Sequence, residues 1–534
     1  MECTEPASIR RVDAFLDRPG AVKRRGAERT EFLQYCRCLH MRSMLMTLQE
    51  HHLVWSVVVV DIIIRIAVGV RVVLRRQPVP AALAWLLLLL FVPFLSPYLY
   101  LLIGEHRLGV HRAKTIERLG KEMEVAALEM WTGRAVLPTG SKLHYRPISN
   151  LCRTVTGYVP VPGNSVELMD DASAVLKRLA ADIDAAKHHC HLLYYIWQPA
   201  NGGARVGEAL IRAAKRGVKC RVLVDDVGAY AFLKSPLYER MIEGGVMVVS
   251  ALPVNPARML LARVDLRNHR KMSVIDGVIA YCGSQNLTDE RFRSVRSGRR
   301  SRVGPWIDTT VRIVGPAVQP LQTIFLRDWD YDHDEDFTDL GPYFPDPIDA
   351  GGKSIVHVVP SGPGPKPQTI HQALLLMLYA AKDEIIMTTP YFVPDESMKS
   401  AIINASLRGV AVTLVVPDRL DAKVVAAAGR ANYEELLEAG VKIMRHKGGL
   451  LHAKTATIDR QLALVTSANL DMRSFWLNFE VSIFVYDDDC AGMLRFLQMK
   501  YITESEEINL EAWRKRPIWK RFRDNMAQLA GPLL

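Results

Sequence analysis

The chain writes one hairpin twice, and that duplication restricts its fold more than any other feature. HRKMSVIDGVIAYCGSQN runs from His269 to Asn286, and HAKTATIDRQLALVTSAN runs from His452 to Asn469. Each places a lysine two residues after a histidine, an aspartate five further on, and a serine and an asparagine after a second apolar run. The surroundings repeat as well. AAKHHCHLLYYIWQP from Ala185 parallels AAKDEIIMTTPYFVP from Ala380, and ALIRAAKRGVKCRVLV from Ala209 parallels AIINASLRGVAVTLVV from Ala401. Each half therefore reads as a strand, an amphipathic helix ended by glycine and a buried strand, closed by the hairpin. A period near 190 residues predicts a duplicated α/β domain rather than a solenoid.

Asp276-Gly277 is a two-residue turn signal between apolar runs, which predicts antiparallel strands over Arg270 to Ile275 and Val278 to Gly283. With Ile275 opposite Val278, Lys271 falls opposite Cys282 and His269 opposite Ser284. Directly opposed side chains share a sheet face. His269, Lys271 and Ser284 then converge, with Asn286 just beyond. In the second copy a turn at Asp459-Arg460 sets His452 opposite Ser467, with Lys454 on the same face and Asn469 beyond. That turn is the weaker one, because arginine tolerates positive φ poorly.

The groups suit phosphodiester chemistry. A neutral imidazole can attack phosphorus and an imidazolium can protonate a leaving oxygen, so two histidines supply a nucleophile and a general acid near neutral pH. Lysines with Ser284, Asn286, Ser467 and Asn469 as donors can hold nonbridging phosphate oxygens. No carboxylate cluster offers a magnesium site and the histidine spacing matches no zinc motif, so a metal-independent transfer is expected. The eight cysteines stand at 3, 36, 38, 152, 190, 220, 282 and 490 without a CxxC pair, which suggests neither a zinc site nor a disulfide framework.

Two early stretches are strongly apolar: Leu53 to Leu74 and Ala81 to Gly104. Each is long enough to cross a hydrocarbon core of about 30 Å, and a pair is not a signal peptide. Asp61 and Arg65 interrupt the first. Left alone in lipid each would cost roughly 2.5–3.5 kcal/mol, but their i,i+4 spacing allows a pair on one helix face or burial against the second stretch. Cations cluster before the stretches (Arg10, Arg11, Lys23, Arg24, Arg25, Arg37, Arg42) and after them (Arg107, Arg112, Lys114, Arg118, Lys121), with only Arg75 and Arg76 between. This asymmetry places both termini in the cytoplasm. The formal charge of +11 points to an anionic partner without choosing between nucleic acid and lipid. The run Arg291 to Arg300 reads as a solvated basic loop or a headgroup contact.

The spacing HxKx4Dx6GSxN, present as His269, Lys271, Asp276, Gly283, Ser284 and Asn286, resembles the signature of the phospholipase D superfamily; the second copy matches at His452, Lys454, Asp459, Ser467 and Asn469. YYIWQP, DLRNHRKM, GPWIDT, TTPYFVPDE, GGLLHAK, SANLDMRSFWLNFEV and RPIWKRF extend the resemblance to the bacterial cardiolipin synthases of the two-span type, from about Leu53 to the end of the chain. The resemblance implies two phospholipase-D-like α/β domains with the active site at their interface. It implies transfer between two phosphatidylglycerols, giving cardiolipin and glycerol through a phosphatidyl-histidine on His269, with His452 as acid and then base. Asp308 in PWIDT and Glu480 in WLNFE resemble the carboxylates that orient the respective imidazoles. Asp276 and Asp459, though part of the motif, are expected to support their loops rather than move protons. Thr466 stands where the family often has glycine, which puts the backbone approach to phosphate there in doubt.

The expected organisation is a basic tail over 1–50, read as disordered or as preceding a true start at Met41, Met44 or Met46, a transmembrane hairpin over 51–104, a juxtamembrane linker over 105–160, and repeats over 161–345 and 346–534. No cofactor, metal or nucleic acid is expected. The partners are phosphatidylglycerol and anionic lipids of a bacterial inner membrane, and a homo-oligomer is left open. The rival readings are a phospholipase D, a phosphatidyltransferase using another alcohol, and a membrane-tethered scaffold with dead sites.

Overall fold

The computed structural model describes residues 25–75, 79–105, 135–254, 263, 265–289, 304–333, 335, 340–346, 351–363, 368–529 and 531, with side chains from residue 41 and then from 51 onward. The first twenty-four residues, Arg76, the cations from Arg107 to Lys121 and the run Arg291 to Arg300 lie outside them. The chain divides into two compact units, Met1–Gly104 and Glu105–Leu534.

In the first unit the helix Arg25–Leu74 is followed by Val79–Phe91, Leu95–Leu99 and a π-helical turn Tyr100–Gly104. Asp61 pairs with Arg65 at 2.8 Å. The same two groups also grip the second apolar stretch: Asp61 accepts from the Phe94 amide at 2.9 Å and Arg65 donates to the Leu89 carbonyl at 3.3 Å. Both readings of this pair therefore hold together. Val68, Val72, Leu89 and Tyr100 form a small core, whereas Leu53, Trp55, Ile63, Ile66, Leu90 and Phe91 are each more than half exposed. The second stretch is not the single helix expected. Its first helix has 13 residues, about 20 Å at about 1.5 Å per residue. It ends where Pro93 removes an amide and restricts the residue before it. Among the described residues no helix is long and apolar enough to cross a membrane.

The second unit is built on one mixed sheet whose two halves repeat. From its outer edge inward, the first half runs Met247–Ala251, Lys219–Asp225, His189–Tyr194, Met272–Ile275, Ile279–Gly283, Thr310–Val314, Val161–Met169. The second runs Lys442–His446, Ala411–Pro417, Glu384–Thr388, Thr455–Ile458, Leu462–Thr466, Asn478–Val485, Ser354–Ser361, with Ser505–Glu507 beyond its edge. The halves join where Val161–Met169 pairs antiparallel with Ser354–Ser361. Val318–Asp332 and Asp488–Thr503 pack into a core drawn from both halves, including Val161, Phe325, Trp329, Val356, Val481 and Leu494. The repeats thus share a core. The segment expected as a linker packs into a separate core of the second repeat: Tyr145, Ile148 and Cys152 are buried with Leu374 and Phe484.

The hairpin register is one residue off the expected one in both copies. Ile275 pairs with Ile279 and Met272 with Cys282, and likewise Ile458 with Leu462 and Thr455 with Val465. The turns lie where expected, with positive φ at Asp276 and Gly277 and at Asp459 and Arg460. Val278 and Gln461, whose amides close those turns, belong to the connection and not to the second strand, which starts at Ile279 and at Leu462; a connection of three residues in place of two moves the pairing by one. His269 therefore does not lie opposite Ser284, nor His452 opposite Ser467. Each turn is held by its aspartate. Asp276 accepts from the amides of Lys187, His188 and His189 at 2.8, 2.8 and 2.9 Å, and Asp459 from those of Lys382, Asp383 and Glu384 at 3.0, 2.8 and 2.9 Å. This clamp explains how Arg460 is kept at φ 59°.

Asp276 and Asp459 thus sit at the far ends of the hairpins, as loop supports rather than among the reacting groups. Asp276→Ala should lower stability by about 2–4 kcal/mol, because three amides lose their acceptor, while turnover per folded molecule is retained. Thermal unfolding paired with activity normalised to folded protein checks this. Lost turnover at unchanged stability would move Asp276 into the chemistry.

Candidate active site

Each His-x-Lys segment runs into the site alongside a strand of the other repeat. Arg267–Asn268 lies parallel to Asn478–Phe479, and Leu450–Leu451 lies parallel to Trp306–Ile307. The next residue on each side of the first ladder is His269 beside Glu480, and of the second, His452 beside Asp308. Backbone bonds fix the approach, from the His269 amide to the Phe479 carbonyl at 2.9 Å and from the His452 amide to the Ile307 carbonyl at 2.7 Å. The orienting carboxylates are consequently exchanged. Glu480 of the second repeat takes His269 Nδ1 at 2.9 Å, and Asp308 of the first takes His452 Nδ1 at 2.7 Å.

Serines hold those carboxylates. Ser284 Oγ donates to Asp308 Oδ1 at 2.7 Å and accepts the Thr309 amide at 2.9 Å; Ser467 Oγ donates to Glu480 Oε2 at 2.5 Å and accepts the Val481 amide at 3.0 Å. Their hydroxyls are thus engaged by the carboxylates, not aimed at a phosphate as the sequence suggested. Asn286 Oδ1 accepts the Ile196 amide at 3.0 Å, which ties one repeat's strand to its hairpin. Asn469 Oδ1 is buried and has no hydrogen-bond partner among the described residues.

Gly283 and Thr466, which precede these serines, differ for a steric reason. Gly283 is outside the left-handed region, but a Cβ on it would meet the Thr309 carbonyl oxygen at 2.3 Å. Thr466 fits its own strand, bonding Ser482 Oγ at 2.7 Å and accepting the Ala468 amide at 3.0 Å. Positive φ is needed at neither, so the β-branched Thr466 sits without backbone strain.

The lysines are buried beside the imidazoles. Lys271 Nζ donates to the His269 carbonyl at 2.5 Å; Lys454 Nζ donates to the His452 carbonyl at 2.7 Å and lies 3.1 Å from His452 Nε2. Burial, partly opposed by Glu480 and Asp308, pushes Lys271 down to about 8. Burial also pushes Lys454 down to about 7, with Lys271 adding to it and Asp308 opposing. His269 is lowered to about 4 by burial, against Glu480 and with Lys271, so its ring is neutral at pH 7. His452 is lowered by burial and by Lys454. Burial pushes Asp308 upward, but His452, Lys454 and Ser284 together hold it at about 2. The two motifs feel each other's charges, Lys454 acting on His269 and Lys271 on His452, so they form one site. Since a carboxylate only accepts, each Nδ1 carries the proton and each Nε2 presents its lone pair.

Three neighbours escaped the sequence reading. Tyr195 lies edge-on to His269 at 4.8 Å between ring centroids, and Trp306 covers His452 at 4.6 Å. Both stand in quoted motifs, YYIWQP and GPWIDT, where the aromatic residues next to the strand ends were the available signal. The third, Arg270, is fully buried, pairs with Asp328, and donates to the carbonyls of Glu480 at 3.0 Å and Ser361 at 3.2 Å. It braces the Glu480 strand from the first repeat, and the second copy has Ala453 instead. Among the described residues no group of three or more His, Cys, Asp or Glu is arranged to hold a metal.

Two imidazoles, each aligned by a carboxylate from the opposite repeat and flanked by a lysine, define a two-histidine transferase of phosphate esters. The family model described as "Cardiolipin synthase, PLD-like domain" matches residues 179–329 and 374–496. Cardiolipin synthase A of Serratia proteamaculans (strain 568) is 39% identical over 471 residues, covering 88% of this chain and 96% of that protein, and cardiolipin synthase A of Yersinia pestis bv. Antiqua (strain Antiqua) is similar to the same extent. A solved phosphatidylserine synthase from Haemophilus influenzae Rd KW20 shares the fold, with a TM-score of 0.52 at 14% identity over 72% of this chain and all of that one. The chain belongs to the cardiolipin synthase family of phospholipase-D-like enzymes.

Proposed function

We propose that the protein condenses two phosphatidylglycerols into cardiolipin and glycerol through a phosphatidyl intermediate on His269. The exchanged imidazole–carboxylate pairs carry this reading, together with the name of the relatives. Neutral His269 Nε2 attacks phosphorus while Glu480 accepts from Nδ1–H and stabilises the growing positive charge. The bond from phosphorus to the glycerol oxygen breaks as His452 gives that oxygen a proton. His452, now neutral and held by Asp308, takes the proton from the primary hydroxyl of a second phosphatidylglycerol. That oxygen attacks phosphorus and the P–N bond breaks, returning both histidines to their starting states. A phosphodiester anion between Lys271 and Lys454 offsets their charge, which favours the protonated His452 that the first step needs.

The apolar side chains that the first unit exposes suit burial in a bacterial inner membrane, as a hairpin of two spans or one span and a broken re-entrant helix. Cation asymmetry favours a cytoplasmic catalytic unit facing phosphatidylglycerol and other anionic lipids. Such a location also favours synthesis over hydrolysis: an acceptor hydroxyl oriented on the membrane gains a large effective molarity over water.

Purified protein in vesicles with phosphatidylglycerol as the only reactive lipid should release cardiolipin and glycerol in equal amounts, with chelator present and no nucleotide. Added glycerol should slow or reverse the reaction. Dominant phosphatidic acid would instead assign a hydrolase.

A further inference from the structure

The helix Ile518–Leu529 shows a face that nothing in the second unit covers. Ile518, Trp519, Phe522, Met526 and Leu529 are exposed by 83, 58, 67, 51 and 75%. At about 100° per residue they fall within one arc of about 100°. The opposite side is fastened to the protein. Asp524, wholly buried, is shared by Arg430, Arg516 and Arg523 at 3.2, 2.9 and 2.9 Å, and Gln528 donates to Asn432 at 3.0 Å. The apolar stripe is therefore held outward by fixed ion pairs.

The charge around the stripe is positive in balance: Arg514 pairs with Glu434 and Glu438, Arg521 with Glu434, and Arg516 and Arg523 with Asp524, while Lys515 and Lys520 have no acidic partner among the described residues. Arg514, Lys515, Arg516, Lys520, Arg521 and Arg523 are cations, and between Arg514 and Leu529 the only acid is the buried Asp524. Lys520 and Arg523 each lie 5.6 Å from the Trp519 ring centre. A tryptophan–phenylalanine stripe bordered by cations matches a lipid interface, where rings sit at headgroup depth and cations meet lipid phosphates.

We propose that Ile518–Leu529 is an interfacial helix that docks the catalytic unit on an anionic bilayer, a second membrane contact besides the N-terminal hairpin. The proposal rests on the reading that the substrate is a membrane lipid. It deepens that reading by assigning a surface that holds the catalytic unit against the lipid layer. A second copy of the chain is the competing occupant, and the surplus of positive charge, with Lys520 on the stripe's border, argues against it, because a two-fold pairing would set like charges against each other.

The test uses the full chain with Cys3, Cys36 and Cys38 replaced by serine, in vesicles of phosphatidylglycerol and phosphatidylcholine. Single nitroxide labels are placed at 518, 521, 522, 526 and 528. Collision with oxygen against a water-soluble nickel chelate should put the 518, 522 and 526 labels below the phosphate level and the 521 and 528 labels above it. Uniform access to the chelate overturns the proposal, as does dipolar coupling between 522 labels of two copies. In parallel, Trp519→Asp with Phe522→Asp should cut turnover on vesicles by about tenfold and leave turnover on monomeric short-chain phosphatidylglycerol unchanged. An equal loss on both substrates counts against docking. The depth pattern needs no turnover, so vesicles yielding phosphatidic acid would sink the synthase reading while the docking result stood by itself.

Discussion

His269→Ala should lower cardiolipin formation by on the order of 10⁴-fold or more, because on the proposed path it removes the atom that bonds to phosphorus. The structure makes this imidazole suited to the part. Burial keeps it neutral, with a folded-state value of about 4, and Glu480 occupies Nδ1 at 2.9 Å, which leaves Nε2 for attack. Its side chain keeps 13% exposure, against 5% for His452. His452→Ala should differ in kind. With a natural glycerol leaving group it is also severely impaired, but a phosphatidyl ester of nitrophenol needs no proton on departure, so slow loading of His269 persists. Single-turnover release of nitrophenol by the two variants checks the assignment, and equal loss of the burst in both would remove the distinction between nucleophile and acid.

Asp308→Asn should cost about 10³–10⁴-fold in turnover with natural substrate, although the two residues it joins lie in different repeats. An amide in this position can donate to Nδ1 and fix the wrong tautomer of His452, and it no longer stabilises the imidazolium. The carboxylate accepts from His452 Nδ1 and from Ser284 Oγ, both at 2.7 Å. Exchange of partners makes the prediction sharp. Asp308→Asn should behave like loss of His452, sparing the nitrophenyl substrate, whereas Glu480→Gln should behave like loss of His269 and slow both substrates. Comparing the two variants on the two substrates decides it; if each carboxylate served the histidine of its own repeat, the patterns would be reversed.

The duplicated α/β plan and the partnership of His269, Lys271, His452 and Lys454 were legible because they rest on local patterns: apolar period, turn residues and a repeated spacing. The exchange of Glu480 and Asp308 was not, since it depends on two-residue ladders between segments far apart in the chain. The register failed by one residue for a related reason. A turn signal locates Asp276-Gly277 but not the inclusion of Val278 in the connection, beside the clamp of Asp276 on amides nearly ninety residues upstream. Ser284 and Ser467 were read as phosphate donors because a hydroxyl is a generic donor; only the position of the neighbouring carboxylate shows how each is used. The break in the second apolar stretch was in plain view as Pro93, and hydropathy summed over the stretch hid it.

A phosphatidyl group carried on His269, in a site completed by the other repeat, can be caught directly. The direct measurement is a rapid quench of full-length protein with phosphatidylglycerol labelled at phosphorus, followed by peptide mapping under conditions that preserve phosphohistidine linkages. The label should appear on the peptide containing His269, be absent in His269→Ala, and move into cardiolipin when excess phosphatidylglycerol is added as a chase. Label on His452, or cardiolipin formed at full rate with no bound label, would contradict it.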